Sequence, residues 1–191
     1  MNISIVGPNA AGKSFLVRRV ISDVAGIYPF SISNFPQEKP RFKFLRAGDI
    51  AERRISELMG KWGPCYNKAL YDSNKVFIIE EGLLTKTLAK CPTDFNEASK
   101  FETTLRKYFP KISEIESSYV DKYFLVSPSI QDWLLNRSRR NDSFILQDTV
   151  GNRFMTQKRL LENYLEYYLR LKPNSIISSY DEMMMLIRNF L

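Results

Sequence analysis

The sequence predicts an α/β fold, a parallel five-stranded sheet sandwiched by helices in three layers. Three observations carry this. Strand-like apolar runs alternate with helical spacing along all 191 residues, as βαβ units require. The run Lys75-Val76-Phe77-Ile78-Ile79 is continuously apolar after its first residue, and 123–126 reads the same way, which marks strands buried on both faces. A glycine-bounded turn joins the first strand directly to the first helix, the kind of junction at which open α/β sheets bind ligands.

Taken in order, residues 2–6 alternate weakly and end at a glycine, and Leu16, Val17, Val20, Ile21 and Val24 then mark one helix face. A short β-like run over 27–32 gives way to SNFPQEKPRFKF, a proline-punctuated, basic and aromatic stretch that leads to helical spacing over 49–59. This predicts an excursion from the sheet. The apolar run at 75–79 stops at Glu80-Glu81-Gly82, so acids are expected at a strand's carboxyl end. Helical spacing resumes over 97–108, a strand is expected at 123–126, and Ser127-Pro128-Ser129 introduces a helix over 130–135.

Residues 137–154 are polar, arginine-rich at their start and interrupted by Gly151, which predicts a mobile segment. Beyond it Leu160, Leu161, Tyr164, Leu165, Tyr168 and Leu169 define a long amphipathic helix. A last strand is expected over 175–178, and Ser179-Tyr180-Asp181-Glu182 fits the S-x-x-E capping box that opens a final helix through residue 190. The length suits a single domain spanning 1–191, and no repeat or linker divides it.

Composition removes whole classes of chemistry. With 44% hydrophobic and 26% charged residues the chain is globular rather than disordered. It contains no histidine, so Ser-His triads, histidine bases and histidine-ligated zinc are excluded. Cys65 and Cys91 make neither a disulfide framework nor a metal quartet and read as small packing residues. No apolar run approaches the roughly 20 residues of a membrane span, and the N-terminal stretch lacks the pattern of a secretory leader, so no membrane partner and a cytoplasmic location are expected. The net charge of +7 points to an anionic partner.

One motif supplies that partner. Gly7-Pro8-Asn9-Ala10-Ala11-Gly12-Lys13-Ser14 fits G-x-x-x-x-G-K-[ST], the Walker A pattern, between a strand and a helix as its mechanism requires. The glycines let the backbone curl so that its N–H groups face phosphate oxygens, and the helix N-terminus adds partial positive charge. Lys13 would reach the β and γ phosphates and Ser14 a magnesium ion, which makes ATP and Mg2+ the expected cofactors. A magnesium nucleotide also needs an acid. Glu80 is the candidate, holding the metal or taking an acceptor's proton, with Glu81 in reserve. Arg137, Arg139 and Arg140 follow a helix that follows a strand, where they can fold over a triphosphate and neutralise developing charge.

These features, in this order, resemble the P-loop small-molecule kinases, the group that holds nucleoside monophosphate, thymidylate and deoxynucleoside kinases. The resemblance spans nearly the whole chain and rests on Gly7 to Ser14, on the acid-ended run Val76-Phe77-Ile78-Ile79-Glu80, and on the arginines from Arg137 to Arg140. It implies a P-loop NTPase architecture with a lid over 136–155 and an acceptor site in the segment 35–71. There Arg41, Lys43, Arg46 and Arg53 would hold an anionic acceptor, and Phe42, Phe44, Trp62 and Tyr66 would be available to stack on a base. Where the family often has arginine after the acid, this chain has Glu81.

The expected activity is transfer of the γ-phosphoryl group of ATP to a small acceptor, a nucleotide or nucleoside. A P-loop ATPase coupling hydrolysis to regulation or nucleic-acid binding is the alternative, though the chain lacks an LSGGQ-type run. Asp148-Thr149-Val150-Gly151 imitates part of a guanine-nucleotide switch, but Leu70 stands where its base-reading aspartate would be. The cations are scattered rather than aligned in one stripe, which argues against nucleic acid as the partner. The sequence leaves the oligomeric state, homodimer included, open.

Overall fold

The computed structural model describes residues 1–31, 52, 74–89, 91–92, 95–138 and 148–191. The elements run β1 (Asn2–Val6), α1 (Lys13–Asp23), β2 (Ile27–Ser31), β3 (Val76–Glu81), α2 (Leu83–Leu88), α3 (Phe95–Ser117), β4 (Lys122–Leu125), α4 (Ile130–Ser138), α5 (Asp148–Leu171), β5 (Ile176–Ile177) and α6 (Tyr180–Phe190). The five strands form one parallel sheet in the order β2-β3-β1-β4-β5, with Ile3 opposite Ile78 and Ile5 opposite Phe124. Pro29 sits in β2 at the sheet's edge, where a missing N–H costs least.

Strand periodicity divides the core into two layers. Ile3, Ile5, Val76 and Ile78 pack on one face against Val17 and Val20 of α1 and Met183, Met184 and Ile187 of α6. Val6, Ile79 and Tyr123 pack on the other against Leu83 and Leu84 of α2, Phe101 and Leu105 of α3, and Leu161, Tyr164 and Leu165 of α5. The chain therefore leaves β1 toward one face, through α1, and leaves the neighbouring β3 toward the other, through α2. Where adjacent parallel strands send their connections to opposite faces, a crevice opens beyond their carboxyl ends.

Several expectations change. The strand at 75–79 continues through Glu80 and Glu81, because pairing with β2 persists to Ser31 opposite Glu81. Helix α2 was not expected at all. Its six residues carry no amphipathic period, since five of them are buried. Helix α3 extends well past 108 and through Pro110, its later turns held by buried Phe109 and Ile112. The expected mobile stretch 137–154 is partly helical: 137–138 close α4, and α5 begins at Asp148, where Phe154 lies buried. Of the expected lid 136–155, residues 139–147 lie outside the described residues, as does the helical spacing over 49–59 apart from the helical Glu52.

The capping box is present with one shift. Ser179 Oγ accepts from the Glu182 N–H (3.1 Å), while the Glu182 carboxylate accepts from the Ser178 N–H (2.8 Å), one residue ahead of the cap. Cys91 is buried, and burial pushes its thiol up to about 11, in keeping with a packing role. Among the described residues, no helix is long and apolar enough to cross a membrane.

Candidate active site

The crevice between β1 and β3 is built first by two glycines that are required for different reasons. A Cβ on Gly7 would lie 2.5 Å from the carbonyl oxygen of Val126, so only glycine lets β1 turn away this close to the end of β4. At Gly12 a Cβ would meet nothing within 4 Å, but φ is +98°, a left-handed conformation that costs any other residue. Ala10 shares the left-handed region at φ 64°. The turn closes on itself through the Ala11 N–H to the Pro8 carbonyl (3.2 Å), and Gly12 then caps α1 without a side chain. The first turn of α1 thus presents its N–H groups rather than a competing hydroxyl or carboxylate.

Lys13 Nζ donates to the carbonyls of Gly7 and Pro8, each at 2.9 Å, so the ammonium lies over the loop. Ser14 Oγ donates to Oε1 of Glu80, which brings the first turn of α1 and the end of β3 into contact across the switch point. The resulting cleft is lined by Asn9 to Ser14 and Glu80, by Thr85 and Lys86 of α2, and by Ala89 at its C-cap. Thr85 is 5% exposed, and its Oγ1 has no hydrogen-bond partner among the described residues.

Two further groups hold this arrangement. Gln157 of α5 and Trp133 of α4 bind the backbone of Asn9. The Asn9 N–H donates to Gln157 Oε1 (3.0 Å), and the Asn9 carbonyl accepts from Trp133 Nε1 (2.7 Å). Beneath α2 lies Glu116, fully buried. Its carboxylate accepts from the Leu84 N–H (3.0 Å), from Tyr164 (3.0 Å), from Tyr119 (3.4 Å) and from Tyr123. Burial raises the Glu116 carboxyl above its usual range, against the pull of those four donors in the other direction. It also pushes the Tyr123 and Tyr164 hydroxyls well above 10, so both stay protonated donors.

The structure brings Gly7, Pro8, Asn9, Ala10, Ala11, Gly12, Lys13, Ser14 and Glu80 together as the sequence implied. Glu81 ends β3, with its side chain outside the described residues, and the same holds for the Arg137 side chain at the end of α4. Arg139, Arg140, Arg41, Lys43, Arg46, Arg53 and the aromatics Phe42, Phe44, Trp62 and Tyr66 lie outside the described residues altogether. Sequence reasoning missed Thr85, Lys86, Glu116, Trp133 and Gln157. One signal was available: a glutamate in a helix whose neighbours Ile112, Ile115 and Tyr119 are apolar invites a search for buried donors.

A five-stranded parallel sheet in this order, with a glycine-bounded loop joining β1 to α1 and an acid at the end of β3, is the fold of the P-loop nucleotide kinases. Solved structures with this architecture include deoxyadenosine kinase from M. mycoides with bound dATP, which matches at a TM-score of 0.53 and 17% identity over 99% of this chain and 97% of that one. The same enzyme with bound dCTP matches at 0.53 and 19%, and with the products dCMP and a flexible dCDP at 0.50 and 16%, with the same coverage. At these identities the likeness establishes the fold, deoxynucleoside-kinase-like over nearly the full length. No family model matches the chain, and no curated protein does.

Proposed function

We propose that the protein is a phosphotransferase that moves the γ-phosphoryl group of ATP to a small acceptor, a nucleoside or nucleotide. The observation that carries this reading is the contact between Ser14 and Glu80 at the mouth of the loop, which gathers a phosphate cradle, a cation and an acid at one point. The nucleotides named with the structures of like fold, dATP, dCTP, dCMP and dCDP, support the acceptor class.

In this reading the N–H groups of the loop and of the first turn of α1 bind the phosphate oxygens, and Lys13 turns from its carbonyls to the β and γ phosphates. Ser14 Oγ and the Glu80 carboxylate are hard oxygen donors side by side, a set that fits magnesium, which keeps most of its remaining positions for water and phosphate. A magnesium ion held there supplies charge neutralisation on the phosphates. Glu80, or Glu81 beside it, orients the acceptor hydroxyl and takes its proton. Arg137, Arg139 and Arg140 neutralise charge on the migrating group, and Arg41, Arg46 and Arg53 hold the acceptor's anionic part. Most of the acceleration then comes from positioning and charge rather than covalent chemistry. A soluble cytoplasmic enzyme is the setting that fits this chemistry.

The deciding experiment is ADP release in a coupled assay with Mg-ATP, run against nucleosides, nucleoside monophosphates and free or phosphorylated sugars. Release that depends on a nucleoside or nucleotide is expected. Release that is equal with every addition would replace the kinase with an ATPase, and dependence on a sugar would overturn the acceptor class.

A further inference from the structure

The cleft has two walls that belong to different parts of the chain, the phosphate loop after β1 and helix α2 after β3. One buried side chain touches both. Gln157 of α5 is 1% exposed. Its Oε1 accepts from the Asn9 N–H of the loop (3.0 Å), and its Nε2 donates to the carbonyl of Leu88, the last residue of α2 (2.8 Å). We propose that Gln157 is a positioning residue that sets the separation of these two walls and so the seating of the transferred phosphoryl group in the cleft between them; the proposal rests on the kinase reading above.

Neighbouring contacts make the bridge rigid. One turn earlier on α5, Arg153 Nη2 donates to the Ala89 carbonyl (2.5 Å), gripping the same end of α2. Phe154 lies against Trp133 at 4.6 Å between ring centroids, and Trp133 Nε1 holds the Asn9 carbonyl (2.7 Å). Both backbone polar groups of Asn9, which lie in successive peptide units, are therefore held from outside the loop, the carbonyl by α4 and the N–H by α5. Because the Asn9 N–H is turned toward Gln157, the orientation of the Pro8–Asn9 peptide within the loop is set by α5. The Leu88 bond fixes α2, whose Thr85 and Lys86, with the C-cap Ala89, form the other wall.

The chemistry demands a carboxamide. The position needs an acceptor for one wall and a donor for the other, at a side chain that is itself buried. A carboxylate can accept from Asn9 but cannot donate to Leu88, and an aliphatic side chain can do neither. Phosphoryl transfer responds strongly to such a change, since a misplacement of about 1 Å can cost on the order of a hundredfold in rate. The loop's own closure, through Gly7, Gly12 and the Ala11 to Pro8 bond, does not involve Gln157. Nucleotide affinity should therefore survive where turnover does not.

The test compares Gln157→Glu and Gln157→Leu with the unaltered protein, reading kcat and KM with saturating acceptor and, separately, the affinity for ATP by equilibrium titration. Ser179→Ala, at the N-cap of α6 away from the cleft, serves as a destabilised control with unchanged turnover. The expected result is a fall in kcat of at least tenfold in both Gln157 variants, with ATP affinity within about threefold, measured well below their melting temperatures. Trp133→Phe keeps the ring and removes only the N–H donor, and should lower kcat by a smaller factor. Unchanged kcat in both Gln157 variants would overturn the positioning role while leaving the kinase reading intact. A loss of ATP affinity parallel to that of kcat would also overturn it, by making Gln157 a general support of the loop. No acceptor-dependent release from the unaltered protein would remove the kinase reading itself, and the positioning role with it.

Discussion

Replacing Glu116 separates its charge from its hydrogen bonds. In Glu116→Leu the side-chain volume is roughly kept, but the Leu84 N–H and the hydroxyls of Tyr119, Tyr123 and Tyr164 all lose their acceptor inside the core. Counting only the Leu84 N–H and the Tyr123 and Tyr164 hydroxyls, at the low end of about 1 kcal/mol each, the loss is about 3 kcal/mol. For a chain of this size that lowers the melting temperature by about 6–12 °C. In Glu116→Gln an acceptor oxygen remains for Leu84, and the tyrosine hydroxyls can turn to accept from the amide, so the loss should be much smaller. The pH dependence then isolates the charge. Burial raises the folded-state pKa of Glu116 above the 4.5 of an unperturbed glutamate, so the native state holds this proton more tightly than the unfolded chain. That contribution is complete below about pH 4.5 and is lost as the pH climbs through the raised value, at up to about 1.4 kcal/mol per pH unit for one proton. Glutamine does not titrate. Urea melts from pH 4 upward should show the unaltered protein losing stability relative to Glu116→Gln, until the difference levels off. Parallel profiles for the two proteins would refute the assignment of a raised pKa to this carboxyl, and an unchanged melting temperature in Glu116→Leu would refute the account of its buried donors.

On the proposed kinase reading Lys13→Ala would remove a charge-assisted phosphate contact worth about a few kcal/mol in the transition state, so kcat/KM in the coupled assay should fall at least a hundredfold. Glu80→Gln should keep nucleotide binding and lose phosphoryl transfer, whereas a larger loss in Glu81→Gln would move the essential acid by one residue. Gly7→Ala places a methyl 2.5 Å from a backbone oxygen that can yield only by shifting β4, so a loss of about 1–3 kcal/mol in a denaturant melt should accompany loss of activity. Ser179→Ala deletes the acceptor for the Glu182 N–H and should cost about 1 kcal/mol by the same melt with no change in turnover.

The loop at Gly7 to Ser14 could be read from the sequence because its requirements are local. A tight backbone curl, a cation and a hydroxyl at fixed offsets are all written within eight consecutive residues. The buried strands could be read for a similar reason, since burial on both faces demands an unbroken apolar run. Glu80 was identified through its position at a strand end, although the strand carries on one residue beyond it. Helix α2 escaped because five of its six residues are buried, which erases the amphipathic period that normally announces a helix. The start of α5 escaped for the opposite reason: residues 148–153 are mostly polar, and the helix there is held by Phe154 against Trp133 rather than by any pattern of its own.

The sequence by itself determined the layered parallel sheet, the glycine-bounded loop from Gly7 to Ser14 and the acid that faces it, because each follows from residues close together in the chain. Only the tertiary structure decided what surrounds them. Gln157 meets Asn9 across 148 positions, and Trp133 meets it across 124. Glu116 gathers the Leu84 N–H and Tyr164 from 32 and 48 positions away. A buried amide or carboxylate is tolerable only when its partners are already in place around it, and those partners are assembled by the packing of whole helices. Nothing in the local sequence records that meeting.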